Sequence, residues 1–348
     1  GLAEDGGLFV PEQLPTLDKT VDELAGMTYQ ETAYEVMKKF LTDFTEEELK
    51  NCINAAYDSK FDTEEIAPLV QADGAYYLEL FHGSTIAFKD MALQLLPQFI
   101  STSLKKLGDK DELVILVATS GDTGKAALDG FKNVDQTKIL VFYPQEGVSK
   151  IQRLQMLTQQ GDNVSVFAVK GNFDDAQSGV KQIFSDSKYN EYLNEKGFKL
   201  SSANSINWGR LLPQIVYYFS AYADLVNDKK ITMGDKVNFT VPTGNFGDIL
   251  AGFYAKCMGL PVNRLICASN SNNVLTDFLK TGTYDRNREF FKTISPSMDI
   301  LISSNLERLL YHITNDATKV KSYMEKLQST GCYQVDEATF KADRKSVV

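Results

Sequence analysis

The feature that most constrains the fold is a series of short, almost continuously apolar runs that alternate with stretches of helical character. The predicted strands are residues 112–118, 138–144, 163–169, 236–242 and 264–269. Helical patterns occur at 125–131, 175–187 and 248–259. An apolar strand followed by a helix is typical of a parallel sheet that is covered on both faces. The sequence therefore predicts an α/β protein with two doubly wound, three-layer α/β/α domains, before and after residues 201–222.

The N-terminal part of the chain has a helical pattern instead. Residues 28–41 carry apolar side chains at helical spacing. Thr45 is followed by Glu48 three residues later, which is the pattern of a capping box at a helix start. We therefore expect a helical N-terminal segment over residues 1–75.

Composition excludes several classes of function. The 348 residues carry a net charge of −10, which argues against binding to nucleic acid or to a membrane surface. The longest strongly apolar run, residues 113–118, is far too short to cross a bilayer. Four cysteines without CxxC pairing and only two histidines argue against a His/Cys metal site. With no signal peptide recognised at the start, we expect a cytoplasmic protein with reduced thiols.

Lys89 is the first candidate for chemistry, because it lies in the apolar segment FHGSTIAFKD (81–90), where the pattern predicts the start of a helix. An amine that is removed from water loses pKa and becomes a better nucleophile toward a carbonyl group. The alternative is a structural lysine whose long side chain reaches back to solvent. The sequence around Lys89 leaves both interpretations open.

Two glycine-rich segments follow predicted strands and open helices, ATSGDTGKAA (118–127) and PTGNFGDILAG (242–252). Free backbone N–H groups at such a junction suit a phosphate. Neither segment is a standard nucleotide motif, because Gly124-Lys125 is followed by Ala126 and the second has only G-x-x-G spacing. The alternative is a pair of ordinary turns between strands and helices.

A third polar segment, SSANSINWGR (201–210), places Asn204, Ser205 and Arg210 ahead of a long helix. Arginine is a strong, directional partner for phosphate oxygens. The alternative is a capped helix start with a solvent-facing arginine. One activatable lysine and three possible anion-binding segments suit a phosphorylated carbonyl cofactor together with a phosphorylated substrate.

Several of these segments, in this order, resemble the threonine synthase family, pyridoxal-phosphate enzymes of the tryptophan-synthase-β fold, also called fold type II. The matching segments are GLAEDGGLFVPEQLP, ELFHGSTIAFKD, ATSGDTG, SANSIN and PTGNFGDILAG. With that fold, the expected domains are the helical segment 1–75, a smaller α/β domain at 99–205, and a larger one at 76–98 plus 206–348. The family has sequence beyond the region that resembles residues 331–348, so we expect the larger domain to be C-terminally incomplete.

The resemblance also implies roles for individual residues. Lys89 matches the lysine that forms a Schiff base with pyridoxal 5'-phosphate, and Asp122 matches a position facing the cofactor ring and its phenolic oxygen. The loop implied to cradle the cofactor phosphate comprises Gly244, Asn245, Phe246, Gly247 and Asp248. The positions implied to bind the phosphate of the substrate O-phospho-L-homoserine are Ser120, Thr123, Asn204, Ser205 and Arg210.

The implied reaction converts O-phospho-L-homoserine and water to L-threonine and phosphate. Lys89 would remove protons from Cα and then Cβ, the γ-phosphate would leave, and water would add at Cβ. A phospholyase or dehydratase of the same fold and a non-catalytic ligand-binding fragment remain alternatives, and the chain could be a monomer or a homodimer. His82 could assist or be structural.

This sequence departs from the family at two places. Ser84 stands where the family usually has proline in HGPT, which we expect to matter little for the chemistry. The resemblance implies that the small hydroxyl residue beside the pyridine nitrogen lies in sequence that the family has beyond the region matching residues 331–348. No stretch before Val348 replaces it convincingly. The chain is shortened, incomplete or divergent, and a shortened chain would be expected to lose cofactor affinity and activity.

Overall fold

The structure is a computed structural model that describes residues 3, 6–119, 121–171 and 173–347, with the side chains of residues 174 and 343–346 outside that description. The helices are α1 (Val21–Leu24), α2 (Tyr29–Met37), α3 (Glu46–Ala56), α4 (Asp90–Leu93), α5 (Leu96–Leu107), α6 (Asp122–Phe131), α7 (Lys150–Leu157), α8 (Phe173–Ser185), α9 (Ser187–Glu195), α10 (Trp208–Asn227), α11 (Gly247–Cys257), α12 (Val274–Thr281), α13 (Leu306–Thr314), α14 (Ala317–Thr330) and α15 (Glu337–Ser346), with a 3₁₀ turn at Pro296–Met298. The strands are β1 (Leu69–Ala72), β2 (Ala75–Leu78), β3 (Glu112–Ala118), β4 (Thr137–Pro144), β5 (Val164–Val169), β6 (Phe198–Ser202), β7 (Val237–Pro242), β8 (Val262–Ala268), β9 (Thr283–Asp285) and β10 (Cys332–Gln334).

The chain divides into two compact units. The 27–213 unit runs from Met27 to Pro213, and the 214–348 unit combines Gln214–Val348 with Gly1–Gly26. The division falls inside α10, at Pro213. The three-part domain division expected from the family resemblance stays a prediction.

The first three helices each begin with a threonine that closes a capping box. Thr20, Thr28 and Thr45 accept the backbone N–H of the third helical residue, and the glutamate at that position binds back to the threonine N–H. This arrangement satisfies two otherwise unpaired donors at each helix start. The capping box predicted at Thr45 is therefore confirmed, whereas the antiparallel hairpin β1–β2 begins inside the segment that we expected to be helical.

The 27–213 unit is built around a four-stranded parallel sheet with the order β5-β4-β3-β6. In its register, Ile115 of β3 lies beside Ile139 of β4 and Ser201 of β6. All three strands predicted for this region are present, and β3 has the predicted bounds, residues 112–118. The sequence analysis missed β6, which pairs with the other side of β3.

Alternate residues of β3 point to opposite faces of this sheet, as a strand requires. Ile115 and Val117 pack with residues of α4, α5, α6 and α7 in one buried cluster. Leu116 and Ala118 pack with Ala176 and other residues of α8 in a second cluster. Helices therefore cover both faces of the sheet, which gives the three layers predicted from the sequence.

The 214–348 unit contains the other two predicted strands, β7 and β8, as a parallel pair. Helix α11 follows β7 after a short loop at residues 243–246. A small antiparallel pair, β9 and β10, was not predicted. Within the described ranges, no helix is long and apolar enough to cross a membrane.

Candidate active site

Lys89 stands at the start of α4, in the 27–213 unit. The apolar residues that follow it, Met91, Ala92 and Leu93, are fully buried and fix the helix in the core. The Lys89 side chain is 12% exposed, its Nζ lies 3.6 Å from Asp122 Oδ2, and it lies 5.2 Å from the centre of the Phe88 ring. The alternative of a lysine that snorkels freely into solvent is therefore wrong.

The environment of Lys89 favours its neutral form. Burial and, to a smaller extent, the nearby Arg210 charge lower the pKa of Lys89, the Asp122 carboxylate raises it, and the net result is a pKa of about 8. An amine with this pKa is uncharged in about one molecule in ten at pH 7, far more often than an ordinary lysine. The geometry thus provides a candidate nucleophile and base.

The turn before Lys89 is held by Asp90, a residue that the sequence analysis did not select. The Asp90 carboxylate is fully buried and accepts hydrogen bonds from the Thr85 N–H at 2.8 Å and the Thr85 hydroxyl at 2.6 Å. A Cβ on Gly83 would lie 2.6 Å from Asp90, so the backbone approaches this carboxylate too closely for any larger residue. Ile86 completes the turn with φ of 58°, a conformation that costs a β-branched residue roughly 1–3 kcal/mol.

Asp122 is the first residue of α6, directly after the loop that ends β3. The Thr119 hydroxyl shapes this loop by accepting the N–H groups of Gly121 and Gly124, each at 2.9 Å. Thr123 is half-buried in the first turn of α6, and Ser120 lies outside the described residues. The predicted acid thus lies beside Lys89 at the carboxyl end of β3, where ligands of parallel α/β sheets bind.

Gln152 is a second residue that the sequence analysis missed. Its Nε2 donates a hydrogen bond to Asp122 Oδ1 at 2.7 Å, while Asp122 Oδ2 faces Lys89. Its Oε1 accepts the Ser149 N–H at 3.1 Å and closes a capping box at the start of α7. The S-x-x-Q pattern was a visible signal for the helix start, but nothing in it indicated the contact with Asp122.

Arg210, near the start of α10, is 4% exposed and donates a hydrogen bond from Nη1 to the Ala203 carbonyl at 2.7 Å. The solvent-facing arginine considered from the sequence is therefore wrong. Burial lowers the pKa of Arg210 to about 10, and the charge of Asp90 opposes that fall. The structure places Arg210 within electrostatic reach of both Asp90 and Lys89.

Asn204 and Ser205 precede Arg210 in the turn between β6 and α10, and both are partly exposed. The Ser202 hydroxyl stabilises the turn, because it accepts the Asn204 N–H and donates to Asn204 Oδ1, each at 3.1 Å. Asn207 Nδ2 donates to the Ser202 carbonyl at 2.9 Å. These contacts fix the turn that carries the predicted substrate-binding residues.

In the 214–348 unit, the loop between β7 and α11 is anchored by its carbonyl groups. The Ser303 hydroxyl donates to the Gly244 carbonyl at 2.7 Å, and the Asn305 N–H donates to the Asn245 carbonyl at 3.0 Å. Phe246 is buried and has φ of 64°. Within the described residues, no hydrogen-bond acceptor takes the backbone N–H groups of residues 244–248. Gly247, the first residue of α11, thus adds helix-start donors that can hold an anion.

Asp248 belongs to the same loop in the prediction, but its contacts point to a supporting role. Its carboxylate accepts hydrogen bonds from Tyr217 at 2.6 Å and Tyr218 at 2.8 Å. Burial raises the pKa of Asp248, and the two hydroxyl donors oppose that rise. Its contact with a cofactor therefore stays a prediction.

His82 bridges two carboxylates on the 27–213 unit. Its Nδ1 lies 2.5 Å from Asp62 and its Nε2 lies 2.9 Å from Glu79. Burial acts against protonation, but the hydrogen bonds to Glu79 and Asp62 outweigh it and raise the His82 pKa. Both ring nitrogens are occupied, which supports the structural interpretation. Among the described residues, no group of three or more His, Cys, Asp or Glu could hold a metal ion.

The fold is the α/β fold type II of pyridoxal-phosphate-dependent enzymes, in agreement with the prediction. A PLP-bound threonine synthase from Brucella melitensis superposes with a TM-score of 0.90, at 40% identity over 100% of this chain and 73% of that one. Residues 1–57 match the family described as threonine synthase N terminus. The chain is 42% identical to a Pseudomonas aeruginosa threonine synthase, over 99% of this chain and 71% of that one.

The chain therefore belongs to the threonine synthase family, as its sequence motifs indicated. It is also 44% identical to the human protein named threonine synthase-like 1, over 97% of this chain and 47% of that protein. The chain thus spans about half the length of the threonine synthase-like 1 proteins that it matches. Enzymes of this family act on a small-molecule substrate.

Proposed function

We propose that this protein is a pyridoxal 5'-phosphate-dependent threonine synthase, which converts O-phospho-L-homoserine and water to L-threonine and phosphate. The observation that carries the proposal is the buried Lys89 amine, with its pKa lowered to about 8 and an acid 3.6 Å away, in a chain of this family. A neutral amine is what attack on the cofactor aldehyde requires. The residues present therefore fit this cofactor.

Lys89 would hold the cofactor through its amine, and Asp122 would face the ring and its phenolic oxygen. The backbone N–H groups of Gly244, Asn245, Phe246 and Gly247 would bind the cofactor phosphate, with Asp248 supporting that loop through Tyr217 and Tyr218. When bound, pyridoxal phosphate supplies an electron sink for negative charge that develops on the substrate carbons. We infer no residue for the pyridine nitrogen.

In the reaction, Lys89 would act as the base through its neutral Nζ, which would take one proton from the substrate Cα, release it, and then take one from Cβ. The Cβ proton would leave with the γ-phosphate, and Cγ would gain the proton that came from Cα. Water would supply its hydroxyl group to Cβ and its remaining proton to Cα, so the atoms balance and Nζ is neutral again.

Arg210 would bind the phosphate of the substrate. Arg210 as a whole residue is 4% exposed, so a phosphate dianion would meet a positive charge that water screens little. The partly exposed side chains of Asn204, Ser205 and Thr123 supply further donors, and Ser120 is proposed with them from the sequence alone. The same groups would stabilise the phosphate as it leaves.

Product analysis tests this proposal. The purified chain is given pyridoxal phosphate and O-phospho-L-homoserine, and threonine, inorganic phosphate and keto acid are measured together. Equal amounts of threonine and phosphate are expected, with none from Lys89→Ala and normal amounts from the exposed Lys105→Ala. Phosphate with a keto acid and no threonine would favour a phospholyase, and a chain that stays colourless with the cofactor would favour a non-catalytic fragment.

We further propose a cytoplasmic location and a monomer or homodimer as the working state. All four cysteines, Cys52, Cys257, Cys267 and Cys332, are free thiols, as expected of a reducing compartment. Sedimentation of the purified chain with and without cofactor would measure the oligomeric state.

A further inference from the structure

Gln152 and Lys89 approach different oxygens of the Asp122 carboxylate in the 27–213 unit. Gln152 Nε2 donates to Oδ1 at 2.7 Å, a normal hydrogen bond. Lys89 Nζ lies 3.6 Å from Oδ2. Charge-assisted hydrogen bonds between an ammonium and a carboxylate are usually 2.7–2.9 Å long. The acid is therefore hydrogen-bonded to the neutral amide and stands short of full contact with the amine.

The backbone around Gly121 is shaped to admit the Gln152 amide. A Cβ on Gly121 would lie 2.4–2.6 Å from the Gln152 side-chain amide atoms, and Gly121 has φ of 146°. Gln152 is fixed from its other side as well, because its Oε1 accepts the Ser149 N–H at 3.1 Å. The amide is thus clamped between the loop before α6 and the first turn of α7.

We propose that Gln152 is a positioning residue that holds the Asp122 carboxylate back from Lys89, so that the amine does not close into a full ion pair. Gln152 donates to Asp122 and does not itself take part in proton transfer. This role deepens the proposed function, on which its relevance to catalysis rests, because a lysine locked in an ion pair could neither bind an aldehyde nor act as a base.

The charged groups that face Lys89 settle the direction of the expected change. Burial and the Arg210 charge lower the pKa of Lys89, while the Asp122 charge raises it. The Asp90 charge raises the pKa of Arg210. Without the Gln152 donor, the carboxylate of Asp122 loses the hydrogen bond that competes with Lys89. It is then expected to move toward the positively charged amine. Closing the separation from 3.6 Å to hydrogen-bond length raises the Lys89 pKa by about one unit.

The test measures the Lys89 pKa by NMR in chain labelled with [ε-¹³C]lysine and freed of any bound pyridoxal phosphate. The Lys89 signal is identified by its loss in Lys89→Arg. Gln152→Met keeps the size of the side chain but has no donor, and it is expected to raise the Lys89 pKa by about one unit. Gln155→Met, one turn further along α7, is the matched control and should leave it unchanged.

Two further variants keep the result decisive. Ser149→Ala weakens the same capping box but leaves the Gln152 amide, so it should not move the Lys89 pKa. Gln152→Asn is too short to reach Asp122 and should raise it, even if Gln152→Met folds poorly. An unchanged Lys89 pKa in both Gln152 variants, or an equal rise in Ser149→Ala, would overturn the proposal. Failure of the proposed function would instead show as absence of threonine formation with the Lys89 titration intact.

Discussion

Replacing Lys89 by methionine should make the protein more stable at neutral pH, although it removes the proposed reactive group. The folded chain holds this amine in a site where burial is the largest influence on it, and its pKa falls from 10.5 to about 8. Each pKa unit corresponds to about 1.4 kcal/mol. Keeping the ammonium in the fold therefore costs about 3 kcal/mol at pH 7, and Lys89→Met should recover most of that free energy.

The gain should also depend on pH in a defined direction. Lys89 loses its proton near pH 8 in the folded chain but near 10.5 in the unfolded chain, so the unfolded chain binds more protons between those values. The stability of the wild type therefore rises with pH over this window relative to the variant. The advantage of Lys89→Met should fall from about 3 kcal/mol at pH 7 to about 1.5 kcal/mol at pH 9.5.

Urea denaturation of the cofactor-free chain at both pH values measures this difference, since the linear extrapolation gives the free energy of unfolding. Lys105→Met is the matched control, because Lys105 is exposed in the last turn of α5 and should change stability little at either pH. A gain below 1 kcal/mol at pH 7 would refute the burial cost assigned to Lys89. So would a gain that does not decline between pH 7 and pH 9.5.

Two other substitutions test the groups around Lys89. Asp90→Ala should destabilise the chain by about 3 kcal/mol in urea denaturation, because it leaves the buried Thr85 N–H and hydroxyl without their acceptor; a loss no larger than that of the exposed Asp43→Ala would contradict the role of this carboxylate. Arg210→Lys keeps the charge but loses the planar fork of donors, so steady-state kinetics should show KM for O-phospho-L-homoserine rising on the order of tenfold or more with cofactor affinity unchanged. Unchanged substrate kinetics would remove Arg210 from the proposed site.

The central strands could be predicted because a strand that is buried on both faces has a nearly continuous run of apolar residues in the sequence. Strand β3 is flanked by β4 and β6 and covered by helices on both sides, so it is apolar from Leu113 to Ala118. Strand β6 lies at the edge of the same sheet, and its residues FKLSS are only half-buried. Strand β6 was therefore missed because it contains polar residues. In addition, an alternating pattern over only five residues cannot be distinguished from a loop.

The residues that support the site were harder to find than those implied to do the chemistry. Lys89 could be selected from the sequence because the apolar residues around it are its neighbours along the chain. Gln152 lies 30 residues from Asp122 and meets it only because β4 returns the chain beside β3. For Arg210, the sequence left a solvent-facing arginine open as an alternative, because nothing nearby in the sequence shows that it is buried beside the Ala203 carbonyl.

The charges around Lys89 explain how the chain can bury an amine and keep it reactive. If Asp122 approached to hydrogen-bond distance, the ion pair would hold the proton and the pKa would return toward 10.5. If no acid were present, burial and Arg210 would lower the pKa further, and the ammonium formed when Lys89 takes a proton would have no counter-charge. A separation of 3.6 Å lies between these limits. Asp90 opposes the fall in the Arg210 pKa, so the same arrangement keeps the guanidinium charged for a phosphate. A substitution that changes one of these four charges should therefore alter the titration of the others, and the mutational effects should not be additive.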